Sequence, residues 1–135
     1  MDNRQAALLL ARGRAVIGLA ALTVPGLFNR LWLGGAKATS PAKAMTRAFG
    51  ARELVLGIGT LTSVKEQTQG PEWLSMGAVA DGVDAAVSLL VRGAPRRTRV
   101  IALVAAVSAV GAMKVARELA DERAAASGSG LEARA

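Results

Sequence analysis

Apolar residues run along this chain in long stretches that alternate with short polar and Gly/Pro-rich breaks. Residues 15–29, 54–64 and 100–113 contain no charged side chain at all. Pro25-Gly26, Gly34-Gly35 and Ser40-Pro41 close a first segment, Gly70-Pro71 separates the second from the third, and Gly93-Ala94-Pro95 separates the third from the fourth. Dipeptides of this kind mark turns and helix starts. The pattern therefore predicts four helices, at residues 5–33, 41–64, 72–91 and 96–126. Ser40 reads as an N-cap with Pro41 at the first helical position. Strict alternation never persists and alanine dominates, so strands are not expected. Residues 127–135 (SGSGLEARA) have the composition of a flexible linker or a cloning remnant and are expected to be disordered.

The apolar runs pose a choice between a soluble and a membrane-embedded bundle. Each is shorter than the roughly 18 residues of a clear span. The third segment looks least suited to lipid: its seven Leu and Val residues favour insertion by about 2–4 kcal/mol, whereas Asp81 and Asp84 oppose it by about 5–7 kcal/mol. A soluble bundle, however, needs a polar outer face on every helix. Residues 100–113 (VIALVAAVSAVGAM) offer only Ser108, and residues 15–28 only Thr23. Two helices apolar on all sides leave lipid as their cover. Stripes of small residues at helical spacing point the same way: Ala7, Ala11, Arg14, Gly18 and Ala21; Thr46, Gly50, Glu53, Gly57 and Thr60; Gly77, Asp81, Asp84 and Ser88. Such stripes let transmembrane helices approach closely, although a chain rich in Ala and Gly also produces them by chance. A cleaved signal peptide, with Ala36-Lys37-Ala38 as its cleavage site, is a poor account of the first segment, because Arg30 and Trp32 do not suit the region before such a site.

Composition sharpens this picture mainly by exclusion. The chain has 135 residues, 52% hydrophobic and 20% charged, enough for one domain. It contains no cysteine and no histidine. Disulfides, thiolate nucleophiles, Ser-His-Asp triads, zinc fingers and His-ligated haem are thereby ruled out, and no cofactor or metal is expected. The formal charge is +7, yet aromatic residues amount to 3% with no Tyr. With no recognisable motif and little to stack on a base, nucleic acid is not the expected partner. The basic residues lie mostly at segment ends, and Arg92, Arg96, Arg97 and Arg99 suit anionic lipid headgroups, worth about 1 kcal/mol per charge near the surface. Arg30, Lys37, Lys43 and Arg47 surround the first connection; the second holds only Lys65, beside Glu66 and Glu72. Positive-inside reasoning then favours cytoplasmic first and third connections, with both termini outside. Lys114 and Arg117 are placed to snorkel, and Trp32 and Trp73 to anchor at the interface.

The ionisable residues inside the segments are the site candidates. Asp81 and Asp84 share a helical face, Glu53 lies on the small-residue stripe of the second segment, and Arg14 on that of the first. A buried network of Arg14, Arg52, Glu53, Asp81 and Asp84 follows, and it supplies the partners that make the third segment insertable. Its expected role is structural, fixing helix register. A proton or cation relay, or a polar pocket for a lipid or small amphiphile, is the alternative. Paired carboxylates also serve as acid and base in glycosidases, but nothing nearby forms a sugar cleft, and an enzyme is not expected.

The stretch GARELVLGIGTL from Gly50, followed by W-L-x-x-G-A-x-A-D-x-x-D from Trp73 to Asp84, resembles small four-span membrane proteins of actinobacteria known only as a domain of unknown function. The resemblance covers roughly residues 6–117 and maps the Arg-Glu and Asp-x-x-Asp elements onto Arg52, Glu53, Asp81 and Asp84. It implies multi-pass insertion and carries no activity. The combined expectation is an all-α, four-helix transmembrane bundle with antiparallel neighbouring helices, spanning residues 1–126, in a bacterial cell membrane. Its expected role is that of an accessory or scaffold protein, with the bilayer and further copies or a larger membrane complex as partners.

Overall fold

The computed structural model describes residues 2–33, 39–93 and 96–132. Gly34-Gly35, the Ala36-Lys37-Ala38 sequence, Ala94-Pro95 and residues 133–135 of the tail lie outside the described residues. Among the described residues there are five helices and no strand: α1 (Asn3–Thr23), α2 (Pro25–Leu33), α3 (Ser40–Lys65), α4 (Gly70–Leu90) and α5 (Arg96–Glu132).

The first segment is thus two helices rather than one. Val24 leaves the helical region (φ −124°, ψ 53°), although its N–H still reaches Ala20 O at 3.0 Å. Pro25 disfavours the α conformation of the residue before it and has no N–H to continue the ladder, so the chain breaks there and restarts as α2. The cap of α3 also differs by one position. Thr39 is the N-cap, its hydroxyl accepting from Ala42 N–H at 3.4 Å, and Ser40 is already helical. At the far end, α5 continues through Glu132, into the stretch whose composition is that of a linker. Extending a formed helix is far easier than starting one, and Ser127 Oγ donates back to Arg123 O at 3.0 Å.

Packing is closest within two helix pairs, α1 with α3 and α4 with α5, while the pairs touch each other more thinly. The α1–α3 contact is made backbone to backbone. A Cβ added at Gly18 would lie 2.5 Å from Leu54 N, one at Gly50 2.7 Å from Gly18 O, and one at Gly57 2.7 Å from Ala15 N. The stripes read from the sequence are the faces that meet: Ala7, Ala11, Gly18 and Ala21 of α1 are buried, as are Thr46, Gly50, Glu53, Gly57 and Thr60 of α3. Near the α3–α4 connection, Ala7, Val64, Leu74 and Ala116 form a small cluster with one residue from each long helix. That connection ends α3 with Gln67 in the left-handed region (φ 57°) and Thr68 N–H bonded to Ser63 O at 2.9 Å, a Schellman-type stop.

The larger aliphatic side chains face outward on every long helix. Val16, Val55, Val79, Val107 and Val110 are all more than half exposed, whereas the buried apolar set is largely alanine. Three helices are long and apolar enough to cross a membrane: α1, α4, and residues Arg96–Ser127 of α5. Although α3 has 26 residues, it is not among them; Arg52 and Glu53 lie near its middle, with Lys43 and Arg47 towards its start.

Substituting Gly50→Leu forces α1 and α3 apart. A loss of about 1–3 kcal/mol, read from denaturant titration of the purified protein by circular dichroism, is the expected outcome. Gln67→Gly acts in the opposite direction, stabilising by about 1 kcal/mol because glycine adopts the left-handed conformation without a Cβ penalty.

Candidate functional site

The five ionisable residues singled out in the sequence meet in one continuous network between the two helix pairs. Arg14 projects from α1 where the backbone contact with α3 brings the helices together. Its Nη1 donates to Glu53 Oε2 on α3 at 2.6 Å, and its Nη2 donates to Asp81 Oδ2 on α4. Arg52 lies beside Glu53 on α3 and donates from Nη2 to Glu53 Oε1 at 3.0 Å. The same guanidinium forks onto Asp84, Nη1 reaching Oδ1 at 3.0 Å and Nη2 reaching Oδ2. Asp81 and Asp84, one turn apart on α4, therefore each take a different arginine. Planar forked donors suit such pairing of carboxylates.

Burial grades across the network. The side chains of Glu53, Arg14 and Asp81 are 5%, 12% and 14% exposed, against 36% for Arg52 and 38% for Asp84. Glu53 is the inner member, held by both guanidinium groups. Gly77 of α4 lies beneath Arg14: a Cβ there would come within 3.1 Å of the guanidinium carbon, so the bare backbone provides the space in which Arg14 reaches across.

Adjoining this network, a cavity of about 910 Å³ runs between the helix pairs. Arg14, Glu53, Asp81 and Asp84 line it, and residues of all five helices contribute to its wall. Phe28 and Trp32 of α2 and Phe49 of α3 also line it. Phe28 stacks on Trp32 with centroids 4.6 Å apart, and Phe49 lies 5.9 Å and 6.2 Å from the two rings. The chain has only two Phe and two Trp, so three of its four aromatic side chains gather here. Arg52 sits 5.2 Å from the Phe49 centroid, a cation–π contact linking the cluster to the network. In the same wall, Thr46 Oγ1 donates to Asn29 Oδ1 at 2.7 Å.

The sequence did not single out Asn29, Phe28 or Phe49. Their signal was weak: a lone Asn at the end of an apolar run, and aromatics on two separate segments. Trp32 packs inside the cluster, and Trp73 lies over Gly59, where a Cβ would come within 2.5 Å of its ring. Both thus make interhelical contacts. Arg92, Arg96, Arg97 and Arg99 are exposed at the α4–α5 connection and take no part in the network. Among the described residues they form no ion pair. No group of His, Cys, Asp and Glu among the described residues has the arrangement of a metal site. No protein-family model, curated protein or solved structure matches the chain.

Arg14→Gln strips Glu53 and Asp81 of the cation they share, and a loss of about 3–5 kcal/mol is expected. Asp84→Asn leaves Arg52 its bond to Glu53 and costs about 1–2 kcal/mol. Unfolding of both variants in detergent micelles, followed by circular dichroism, ranks them; equal losses would contradict this order.

Proposed function

We propose that the chain is a multi-pass integral membrane protein of a bacterial plasma membrane. In this reading α1, α3, α4 and α5 cross the bilayer as a four-helix bundle with antiparallel neighbours, and the protein has a non-enzymatic accessory or scaffold role. The observation that carries it is the inverted distribution of side chains. Charged residues of α1, α3 and α4 pair in the interior, while Val, Leu and Ile face outward on the long helices. Lipid accepts such an outer surface, and intramembrane charges are tolerated when they face inward and pair. α3 falls below the apolar threshold that the other long helices pass, and the network accounts for this: both of its mid-helix charges have partners. The resemblance to four-span actinobacterial proteins points to the same number of crossings. Anionic headgroups suit Arg92, Arg96, Arg97 and Arg99 at the α4–α5 connection, and positive-inside reasoning puts that connection in the cytoplasm, with both termini outside. Further copies of the chain or a larger membrane complex are the protein partners proposed.

A second reading, a lipid-binding or minimal transport role that uses the same carboxylates, is favoured by the cavity they line.

Washing the membranes of expressing cells with alkaline carbonate tests the first point. The protein is expected to stay in the pellet until detergent is added; recovery in the supernatant would overturn the spanning assignment. Combining Asp81→Asn with Asp84→Asn separates the two roles. A scaffold loses its resistance to unfolding in detergent, whereas a relay keeps its fold and loses pH-dependent flux in reconstituted vesicles.

A further inference from the structure

We propose that the cavity between the helix pairs binds a cationic amphiphile. Its ammonium group sits against the carboxylates of Asp81, Glu53 and Asp84, and a hydrogen-bond acceptor in its body takes the free N–H of Asn29. This deepens the lipid-binding reading and rests on it.

Charge provides the first argument. Two guanidinium groups meet three carboxylates in the network, leaving one negative charge over when all are ionised. Four of these five groups, including all three carboxylates, line the cavity. An excess anion in a site walled mainly by Leu, Ile, Val, Ala and aromatic rings is costly unless a cation joins it. A protonated amine supplies the missing charge and hydrogen bonds to the carboxylate oxygens. The rings of Phe28, Trp32 and Phe49 add faces for a cation and its adjoining methylenes.

Asn29 gives the second, independent argument. It is only 7% exposed and lines the cavity, yet its Nδ2 has no hydrogen-bond partner. Its Oδ1 is engaged by Thr46, whose hydroxyl also lies 2.9 Å from Ala42 O. Since Thr46 has a single proton to share between those two acceptors, turning the Asn29 amide over would release the proton to Ala42 and leave Asn29 with an unused oxygen. Either orientation leaves a buried amide atom in need of a partner. Thr46 and Glu53 are two turns apart on α3, about 10 Å at 1.5 Å per residue. The favoured molecule therefore carries its cation and its polar body group about that far apart, with an aliphatic chain beyond. A cavity of about 910 Å³ is large enough for a molecule of this size.

The test uses the full chain in phosphatidylcholine nanodiscs, with Trp73→Phe making Trp32 the reporting fluorophore. The probes are the mono-dodecanoyl amide of hexamethylenediamine, the neutral N-hexyl dodecanamide, and the anionic dodecanoyl amide of aminohexanoic acid. The diamine amide should saturate the Trp32 response at about tenfold lower concentration than the neutral amide, and the anionic amide should bind more weakly than either. Asp81→Asn should abolish the preference for the amine, so that the amine and neutral amides saturate at similar concentrations. Asn29→Leu should weaken both by a similar factor. Equal saturation by the amine and neutral amides in the parent chain would overturn the proposal, assigning the excess charge to a proton instead. Preference for the anionic probe, or no saturable response to any probe, would overturn it too. The parent-chain comparison stands even where a variant fails to fold. Carbonate extraction decides the spanning assignment separately.

Discussion

The guanidinium of Arg14 is shared between Glu53 on α3 and Asp81 on α4, and the interior is arranged so that this sharing is possible. The backbone contact at Gly18, Gly50 and Gly57 brings α1 against α3 and delivers Arg14 to the level of Glu53. Gly77 then leaves room on α4 for the guanidinium to lie across the gap and reach Asp81. Arg52 completes the link by joining Glu53 to Asp84. Where direct packing between the two helix pairs is thin, directional ionic bonds span the space. Buried ion pairs contribute little net stability compared with a well-packed apolar core, but removing one partner is costly. Here Arg14 of α1 and Arg52 of α3 each reach a carboxylate of α4, so the ionic bonds join one helix pair to the other.

Around that network, the usual allocation of side chains is reversed. The buried positions belong mainly to alanine, glycine, serine and threonine, and the branched aliphatic residues point away. In water this would waste the hydrophobic effect, because the side chains with most apolar area would remain exposed. Between lipid chains there is no such drive, and close approach of backbones becomes the main source of helix association. The glycine contacts of α1 with α3, the alanine-lined face of α5 and the outward valines are parts of one solution to the same constraint.

The interior faces were legible because helical periodicity places Ala7, Ala11, Gly18 and Ala21, or Thr46, Gly50, Glu53 and Gly57, on one side whatever the partner helix. The same periodicity brought Asp81 and Asp84 together, and the need to pair charges within apolar segments pointed to Arg14 and Arg52. The break at Val24 was harder to place. Pro25 was visible as punctuation, but whether a proline kinks a helix or ends it depends on the local path of the chain. The choice of Thr39 over Ser40 as the cap reflects two adjacent residues with similar capping chemistry. The cavity left no periodic trace: it arises from the separation of the helix pairs. The Asn29–Thr46 bond and the meeting of Phe28, Trp32 and Phe49 depend on how α2 folds back onto α3.

Chain order acquires meaning from this arrangement. Synthesis proceeds from the N-terminus, and the early parts of a chain begin to organise first. Arg14, Arg52 and Glu53 all precede Asp81 and Asp84 in the sequence. Both arginines with which the carboxylates of α4 pair therefore lie ahead of it in the chain. α5, uncharged over residues 100–113 and outside the network, follows α4 in the chain. α4 thus follows the residues that give its carboxylates their partners and precedes α5, the helix it packs against most closely.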